Sequence, residues 1–214
     1  MAIAIRAYQP EDVPALVEIW NEVVEQGIAF PQKAPLTNQI GAAFFAKQSC
    51  TAAAYDTETA EIVGMYILHP NNVGRCGHIC NASYAVKTTY RGQKIGEQLV
   101  RHCLHQARQM GFRILQFNAV VKENYAARKL YEKLGFVTIG TVAEGFQKKD
   151  GTYSDIVLYY FPLQNEPTAS VGCSAIVFHN VMLRSLESLY PSDCPKAIAA
   201  ALSFPADCNE SAFW

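Results

Sequence analysis

The chain has 214 residues, of which 50% are hydrophobic and 17% are charged, and its formal net charge is −1 at pH 7. This composition argues against disorder throughout the chain and against a nucleic-acid-binding protein that relies on bulk positive charge. Seven cysteines without a C-x-x-C pair argue against a disulfide framework or a metal site. The sequence shows neither a signal-peptide pattern nor a long apolar run, and we therefore expect a cytoplasmic protein with no membrane segment.

Hydrophobic periodicity and turn residues predict the secondary structure in chain order. In the first half we expect a strand over 2–8, helices over 13–27 and 37–47, and strands over 51–55, 62–68 and 77–86. In the second half we expect a helix over 95–110, a strand over 114–121, a helix over 125–134, and strands over 136–140 and 152–161. This order predicts an α/β domain with a mixed sheet over residues 1–164.

Residues 165–214 differ in composition from the predicted domain. They are enriched in Pro, Ser, Ala and Cys, and their apolar stretches are short. We interpret them as a C-terminal appendage without a chemical motif. It could pack on the domain, exchange with a neighbouring protomer or be largely disordered, and a role in oligomerisation or partner binding stays open.

A polar turn with two glycines joins the strand at 77–86 to the helix at 95–110. The first N–H groups of a helix lack intrahelical partners and lie at the positive end of its dipole, so they favour a pyrophosphate. Gly92 and Gly96 would let the backbone approach phosphate oxygens, and Arg91 and Lys94 could add charged contacts. The turn matches neither a P-loop nor a dinucleotide motif, which argues against a kinase or a dehydrogenase. An ordinary strand-to-helix turn is the alternative.

A second segment, residues 124–136, reads N-Y-A-A-R-K-L-Y-E-K-L-G-F. It closely resembles the motif N-x-x-A-x-x-L-Y-x-x-x-G-F of GNAT superfamily N-acetyltransferases. The turn Arg91-x-x-Lys94-x-Gly96 is similar to the pyrophosphate signature [QR]-x-x-G-x-[GA] of the same family, with lysine where the family usually has glycine. The resemblance covers about residues 3–162. It implies the GNAT fold, a mixed, largely antiparallel central sheet with splayed strands flanked by helices.

The resemblance also implies acetyl-CoA as co-substrate, with no metal. Amine attack on the thioester forms an oxyanion and expels coenzyme A thiolate, which a nearby donor can protonate. By similarity Tyr131 is that donor, although a packed aromatic is the alternative, and Asn124 caps the helix and contacts the pantetheine arm. The residues expected to bind the cofactor are Ala85, Val86, Arg91, Gly92, Gln93, Lys94, Ile95, Gly96, Asn124, Ala127 and Tyr131.

The acceptor is expected to be the amine of a small molecule, attacking directly in a ternary complex. Asn81 and Asn118 resemble asparagines of the branch that acetylates proline analogues such as azetidine-2-carboxylate, which implies binding of the substrate carboxylate and a catalytic role for Asn81. Amides that satisfy backbone groups near the splayed strands are the alternative. His78 is a candidate base because histidine titrates near neutral pH, and His69 is a weaker candidate, with a non-catalytic histidine as the alternative for either. Tyr66 is the fourth substrate-binding candidate, beside Asn81, Asn118 and His78, and a core residue is the alternative there.

Other functions stay open at this stage. A peptide or protein N-acetyltransferase would need an open acceptor groove, whereas a closed pocket with converging amides favours a small amino acid. A non-catalytic acyl-CoA sensor would not need a thiolate donor such as Tyr131. We expect no nucleic-acid or membrane partner, and a homodimer is one of the assemblies that the sequence leaves open.

Overall fold

The computed structural model describes residues 2–164, and the predicted appendage at 165–214 lies outside the described residues. The described chain forms a sheet with the strand order β1-β2-β3-β4-β5-β7-β6, flanked by α-helices. In chain order its elements are β1 (Ile3–Ala7), α1 (Val13–Gln26), α2 (Asn38–Ala46), β2 (Cys50–Asp56), β3 (Ile62–Pro70), β4 (Ile79–Val86), α3 (Ile95–Gln109), β5 (Ile114–Val121), α4 (Tyr125–Leu134), β6 (Val137–Gln147) and β7 (Tyr153–Pro162).

Neighbouring strands are antiparallel except for β4 and β5, which are parallel. This pair is short, since only Ile79 and Cys80 of β4 pair with Ile114 and Leu115 of β5. Beyond these residues the two strands separate. The predicted fold class, a mixed and largely antiparallel sheet with splayed strands between helices, is therefore confirmed.

Each face of the sheet carries its own helical layer and its own apolar core. The apolar stripe of α1 packs with α2 on one face, which we call the α1–α2 face. The stripe of α3 packs with α4 on the opposite face, the α3–α4 face. Cys80 and Cys103 are fully buried in this second core, where they pack as small hydrophobic residues. No helix among residues 2–164 is long and apolar enough to cross a membrane.

The prediction for β6 was wrong in length. The expected strand ended at residue 140, whereas β6 continues to Gln147 and is interrupted by irregularities between Thr138 and Gly140 and between Val142 and Phe146. β6 is one of the two edge strands of the sheet and is mostly exposed. It therefore lacks the alternation of buried and exposed residues from which a strand is predicted, and its glycines weaken the pattern further.

Candidate active site

The separation of β4 and β5 opens a cleft through the middle of the sheet. The cleft lies between residues 81–86 of β4 and the second half of β5, where Phe117 and Val120 flank an irregularity in the pairing with β7. Ala85 and Val86 pair with β3 along their other edge, so the β5-side edge of β4 is open. Such an edge can hydrogen-bond an extended chain of amides, as an added strand would.

The turn that leads from the cleft into α3 has an unusual backbone. Gly92 has φ +84° and Lys94, the N-cap of α3, has φ +62°, so both lie in the left-handed region. Gln93 and Lys94 are exposed, while Ile95 is buried and anchors the helix. A Cβ at Gly92 would meet no atom within 4 Å, and one at Gly96 would meet a single side-chain atom at 3.8 Å. The backbone N–H groups at this helix start are thus accessible to an anion.

Contacts with the end of α1 hold this turn in place. The Arg91 guanidinium donates through Nε to the Val86 carbonyl at 3.4 Å and through Nη2 to Gln26 Oε1 at 3.0 Å. Thr88 donates its backbone N–H and its hydroxyl to the Glu22 carboxylate, at 2.8 and 2.7 Å. The Arg91 side chain is exposed.

The residues predicted to act on the thioester lie at the start of α4 and within it. Asn124 is the N-cap, and its side-chain oxygen accepts the Ala127 N–H at 3.3 Å, as predicted for a cap. Tyr131 is 9% exposed, and its ring centroid lies 4.4 Å from that of Phe117, which comes from β5 at the cleft. Burial is the largest cause that raises the pKa of the Tyr131 hydroxyl well above its ordinary value, and the nearby Cys103 raises this pKa further. The hydroxyl is therefore protonated at neutral pH and can act as a donor.

Asn81 and Asn118 lie on the α1–α2 face, on the two strands that border the cleft. Ala85 of β4 is buried in the core of that face, and Asn81 is on the same side by strand alternation. Leu115 and Phe117 of β5 are buried in the opposite core, which leaves Asn118 on the side of Asn81. Both asparagines are half-buried.

Asn118 is the centre of an amide network that the sequence did not predict. Its Oδ1 accepts from Asn71 Nδ2 at 3.2 Å and from Gln116 Nε2 at 3.0 Å, and its Nδ2 donates to Asn71 Oδ1 at 2.6 Å. Asn71 follows β3, and its backbone N–H donates to the Ile79 carbonyl at 2.8 Å. We call Asn71, Gln116 and Asn118 the amide network.

Two of the substrate-binding predictions disagree with the geometry. His78 is exposed before β4, and its carbonyl accepts the Arg113 N–H at 2.9 Å, which puts it at the paired end of β4 and β5 and not beside the cleft. Tyr66 is fully buried in the α3–α4 core, and its hydroxyl lies 2.9 Å from His102 Nδ1. The Tyr66 hydroxyl therefore already has a hydrogen-bond partner inside the core.

His69 lies closer to the predicted site than His78 does. It is half-buried on β3 directly opposite Asn81, on the α1–α2 face. Its Nδ1 lies 3.0 Å from the Pro70 carbonyl oxygen. Because a carbonyl oxygen can only accept, Nδ1 carries the proton, and Nε2 of the neutral ring is left as an acceptor.

Two loops meet on the α1–α2 side of the chain. The loop after α1, residues 27–37, is held by Asn21, whose amide bonds both backbone groups of Leu36 at 2.9 and 2.7 Å. Lys33 of this loop donates to Gln147 Oε1 at 2.7 Å, and Lys149 of the β6–β7 turn donates to a carbonyl at the end of α1 at 3.4 Å. These hydrogen bonds link the loop after α1 to the end of β6, and the β6–β7 turn to the end of α1.

A model of the Acetyltransferase (GNAT) family matches residues 15–136, which is more than half of the 214-residue chain and includes the cleft, the turn before α3 and α4. The chain belongs to the GNAT acetyltransferase family. The N-acetyltransferase aca1 of Schizosaccharomyces pombe is 32% identical to this GNAT chain over 160 residues, which are 66% of this chain and 77% of the relative. The predicted enzyme class, an N-acetyltransferase, is thus confirmed.

Solved structures are similar to this acetyltransferase over most of the described chain. A GCN5-related N-acetyltransferase from Kribbella flavida is 31% identical, with a TM-score of 0.70 over 75% of this chain and 98% of the other. A GNAT superfamily phosphinothricin acetyltransferase from Sinorhizobium meliloti, solved in complex with AcCoA, is 20% identical, with a TM-score of 0.71 over 79% of this chain and 95% of the other. Because the Sinorhizobium meliloti enzyme is only 20% identical, its similarity supports the shared fold and nothing further.

Proposed function

We propose that this GNAT acetyltransferase transfers the acetyl group of acetyl-CoA to the amine of a small amino acid or amino-acid analogue. The observation that carries the proposal is the convergence of Asn81 and the amide network on one face of the cleft. Asn81 Nδ2 and one N–H of Asn118 have no partner among residues 2–164, and a polar acceptor molecule would supply one. The proline analogues expected from the sequence, such as azetidine-2-carboxylate, combine an amine with a carboxylate of suitable size.

Acetyl-CoA is the acetyl donor. Its pyrophosphate would bind the N–H groups of residues 92–96, with Arg91 beside them, and its pantetheine would pair with the open edge of β4 at Ala85 and Val86. Asn124 and Ala127, at the start of α4, border the same ligand. All of these residues belong to 1–164, to which we assign the chemistry.

Attack of the neutral amine on the thioester carbonyl forms the N–C bond, and collapse of the tetrahedral intermediate breaks the C–S bond. Tyr131 donates its hydroxyl proton to the departing thiolate, and its raised pKa keeps the hydroxyl protonated until the thiolate forms. The amine must lose one proton, and His69 Nε2, on the α1–α2 face opposite Asn81, accepts it directly or through water. We therefore prefer His69 to His78 as the base.

A small acceptor fits better than a peptide chain. Lys33 links the loop after α1 to Gln147 at the end of β6, and Lys149 of the β6–β7 turn bonds a carbonyl at the end of α1. We place these segments at the acceptor site, where an extended peptide would need them to part and a single amino acid would not.

The proposal is tested by titrating the purified chain with acetyl-CoA in a calorimeter, and by following thiol release over a panel of amines that includes azetidine-2-carboxylate. We expect tight binding and turnover on one class of amino acid, with kcat about 10²–10⁴-fold lower in Tyr131→Phe. Absence of acetyl-CoA binding would refute the proposed chemistry. Turnover on peptides alone would refute the proposed acceptor.

His69→Gln provides a separate test of the base. It keeps a polar side chain of similar length and removes the imidazole ring. We expect kcat/KM for the amine to fall about 10²-fold or more, with the acetyl-CoA dissociation constant unchanged. His78→Gln is the matched control and should retain wild-type kinetics. An equal loss in both variants would exclude the assignment of His69.

A further inference from the structure

The hydrogen bonds of the amide network decide which group Asn118 has left for a ligand. A side-chain amide oxygen accepts two hydrogen bonds, and its nitrogen donates two. The oxygen of Asn118 is filled by Asn71 and Gln116, while its nitrogen donates only to Asn71 among residues 2–164. One N–H of Asn118 is therefore left to bind a ligand, whereas its oxygen has no free lone pair.

Asn81, on the neighbouring strand, likewise has an occupied side-chain oxygen and a free N–H donor. Asn81 Oδ1 accepts the Ala82 N–H at 2.8 Å, and within residues 2–164 its Nδ2 has no partner. Both asparagines beside the cleft thus offer N–H donors on the α1–α2 face. Donors of this kind suit a carboxylate or carbonyl oxygen, and they do not suit an ammonium group, which is itself a donor.

Asn71 and Gln116 together support this orientation. Both donate to Asn118 Oδ1, and Asn118 Nδ2 donates back to Asn71 Oδ1. Asn71 holds the pair in place, since its backbone is tied to Ile79 of β4 and its side chain crosses β4 to reach β5.

We propose that Asn71 is a positioning residue for acceptor selection. Through the amide network it holds the free N–H of Asn118 on the same face of the sheet as Asn81, so that the enzyme selects amines carrying a carboxylate or carbonyl oxygen next to the nitrogen. This inference rests on the proposed transfer to a small amine and adds the residue that sets its specificity. Asn71 itself does not contact the acceptor.

The test compares two acceptors that differ only in the carboxylate, azetidine-2-carboxylate and azetidine, at saturating acetyl-CoA. In Asn71→Ala we expect KM for azetidine-2-carboxylate to rise about three- to tenfold, the loss of one oriented hydrogen bond, while KM for azetidine changes less than about twofold. Asn72→Ala is the matched control, because Asn72 is exposed in the same loop, and both of its KM values should equal those of the wild type.

Melting temperature and acetyl-CoA affinity are measured for each variant, since a merely structural defect would alter them and would weaken both acceptors alike. Gln116→Met, which keeps the side-chain length without the amide, should lower the preference for azetidine-2-carboxylate in the same direction if Asn71→Ala does not fold. An equal effect on both acceptors, or no effect, would overturn the inference and leave the proposed function standing. A wild-type enzyme that acetylates no small amine would overturn both.

Discussion

Lys94, the N-cap of α3, has a backbone conformation that is unfavourable for lysine, with φ +62° and ψ +14°. A residue with a Cβ pays about 1–2 kcal/mol in the left-handed region. Glycine avoids this cost, but it makes the unfolded chain more flexible, which lowers the free energy of unfolding by about 0.4–1 kcal/mol. Lys94→Gly should therefore raise the free energy of unfolding by about 0.5–1 kcal/mol and Tm by about 1–4 °C for a chain of this size.

Thermal and urea denaturation of two variants would test this estimate. Lys94→Ala removes the same charge but keeps the Cβ, and the lysine side chain makes no capping hydrogen bond, so it should not gain stability. Gly92→Ala places a Cβ at φ +84° in the same turn and should lose about 1 kcal/mol or more. A lower Tm in Lys94→Gly, or an equal gain in Lys94→Ala, would refute the reasoning from backbone strain.

The same variants separate the two ways in which the turn could hold a pyrophosphate. If the backbone N–H groups bind it, both Lys94 variants lose only one exposed charge contact, about 0.2–1 kcal/mol, and bind acetyl-CoA at most about fivefold more weakly. Calorimetric titration measures this directly. A hundredfold loss in both would show that the lysine charge, and not the backbone, provides the binding energy.

Three further changes have definite expected outcomes. Asn124→Ala removes the α4 cap and should lower the free energy of unfolding by about 0.5–2 kcal/mol in urea denaturation. Burial alone would raise the pKa of Asp12, but hydrogen bonds from Arg6 and a backbone N–H hold it below its ordinary value. Asp12 thus stabilises the fold above about pH 4 and loses this effect as pH falls further, so Asp12→Asn should lower Tm at pH 7 and lower it less at pH 3. Tyr66→Phe removes the hydroxyl that contacts His102, so it should lower Tm and leave KM for the acceptor unchanged. A rise in KM without a change in Tm would show that Tyr66 contacts the acceptor.

The parts of the fold that follow from local patterns were predictable. The apolar stripes of α1 and α3 and the glycines that end α1 and α4 at Gly27 and Gly135 are properties of consecutive residues, and the predicted elements match the observed ones within a few residues. β6 is the exception, because an exposed edge strand has no core to impose alternation on its sequence.

The side-chain geometry of the site could not be predicted in the same way. Asn71 and Asn118 are separated by 47 positions, and their contact depends on β4 lying between β3 and β5. Tyr66 is one of several buried residues in a continuous apolar strand, so its sequence does not indicate which face it occupies. The left-handed backbone of Lys94 has no sequence signal other than the glycine usual in related proteins.

The cleft gives the proposed reaction two chemically different sides. Tyr131 belongs to the core of the α3–α4 face, whereas His69, Asn81 and Asn118 lie on the α1–α2 face. An acetyl group held between β4 and β5 would therefore meet the amine from one side of the sheet and release its thiolate towards the other. The residue that takes the amine proton and the residue that supplies the thiolate proton then need not compete for one position. The splayed pair that defines the fold would thus also separate the two proposed proton transfers.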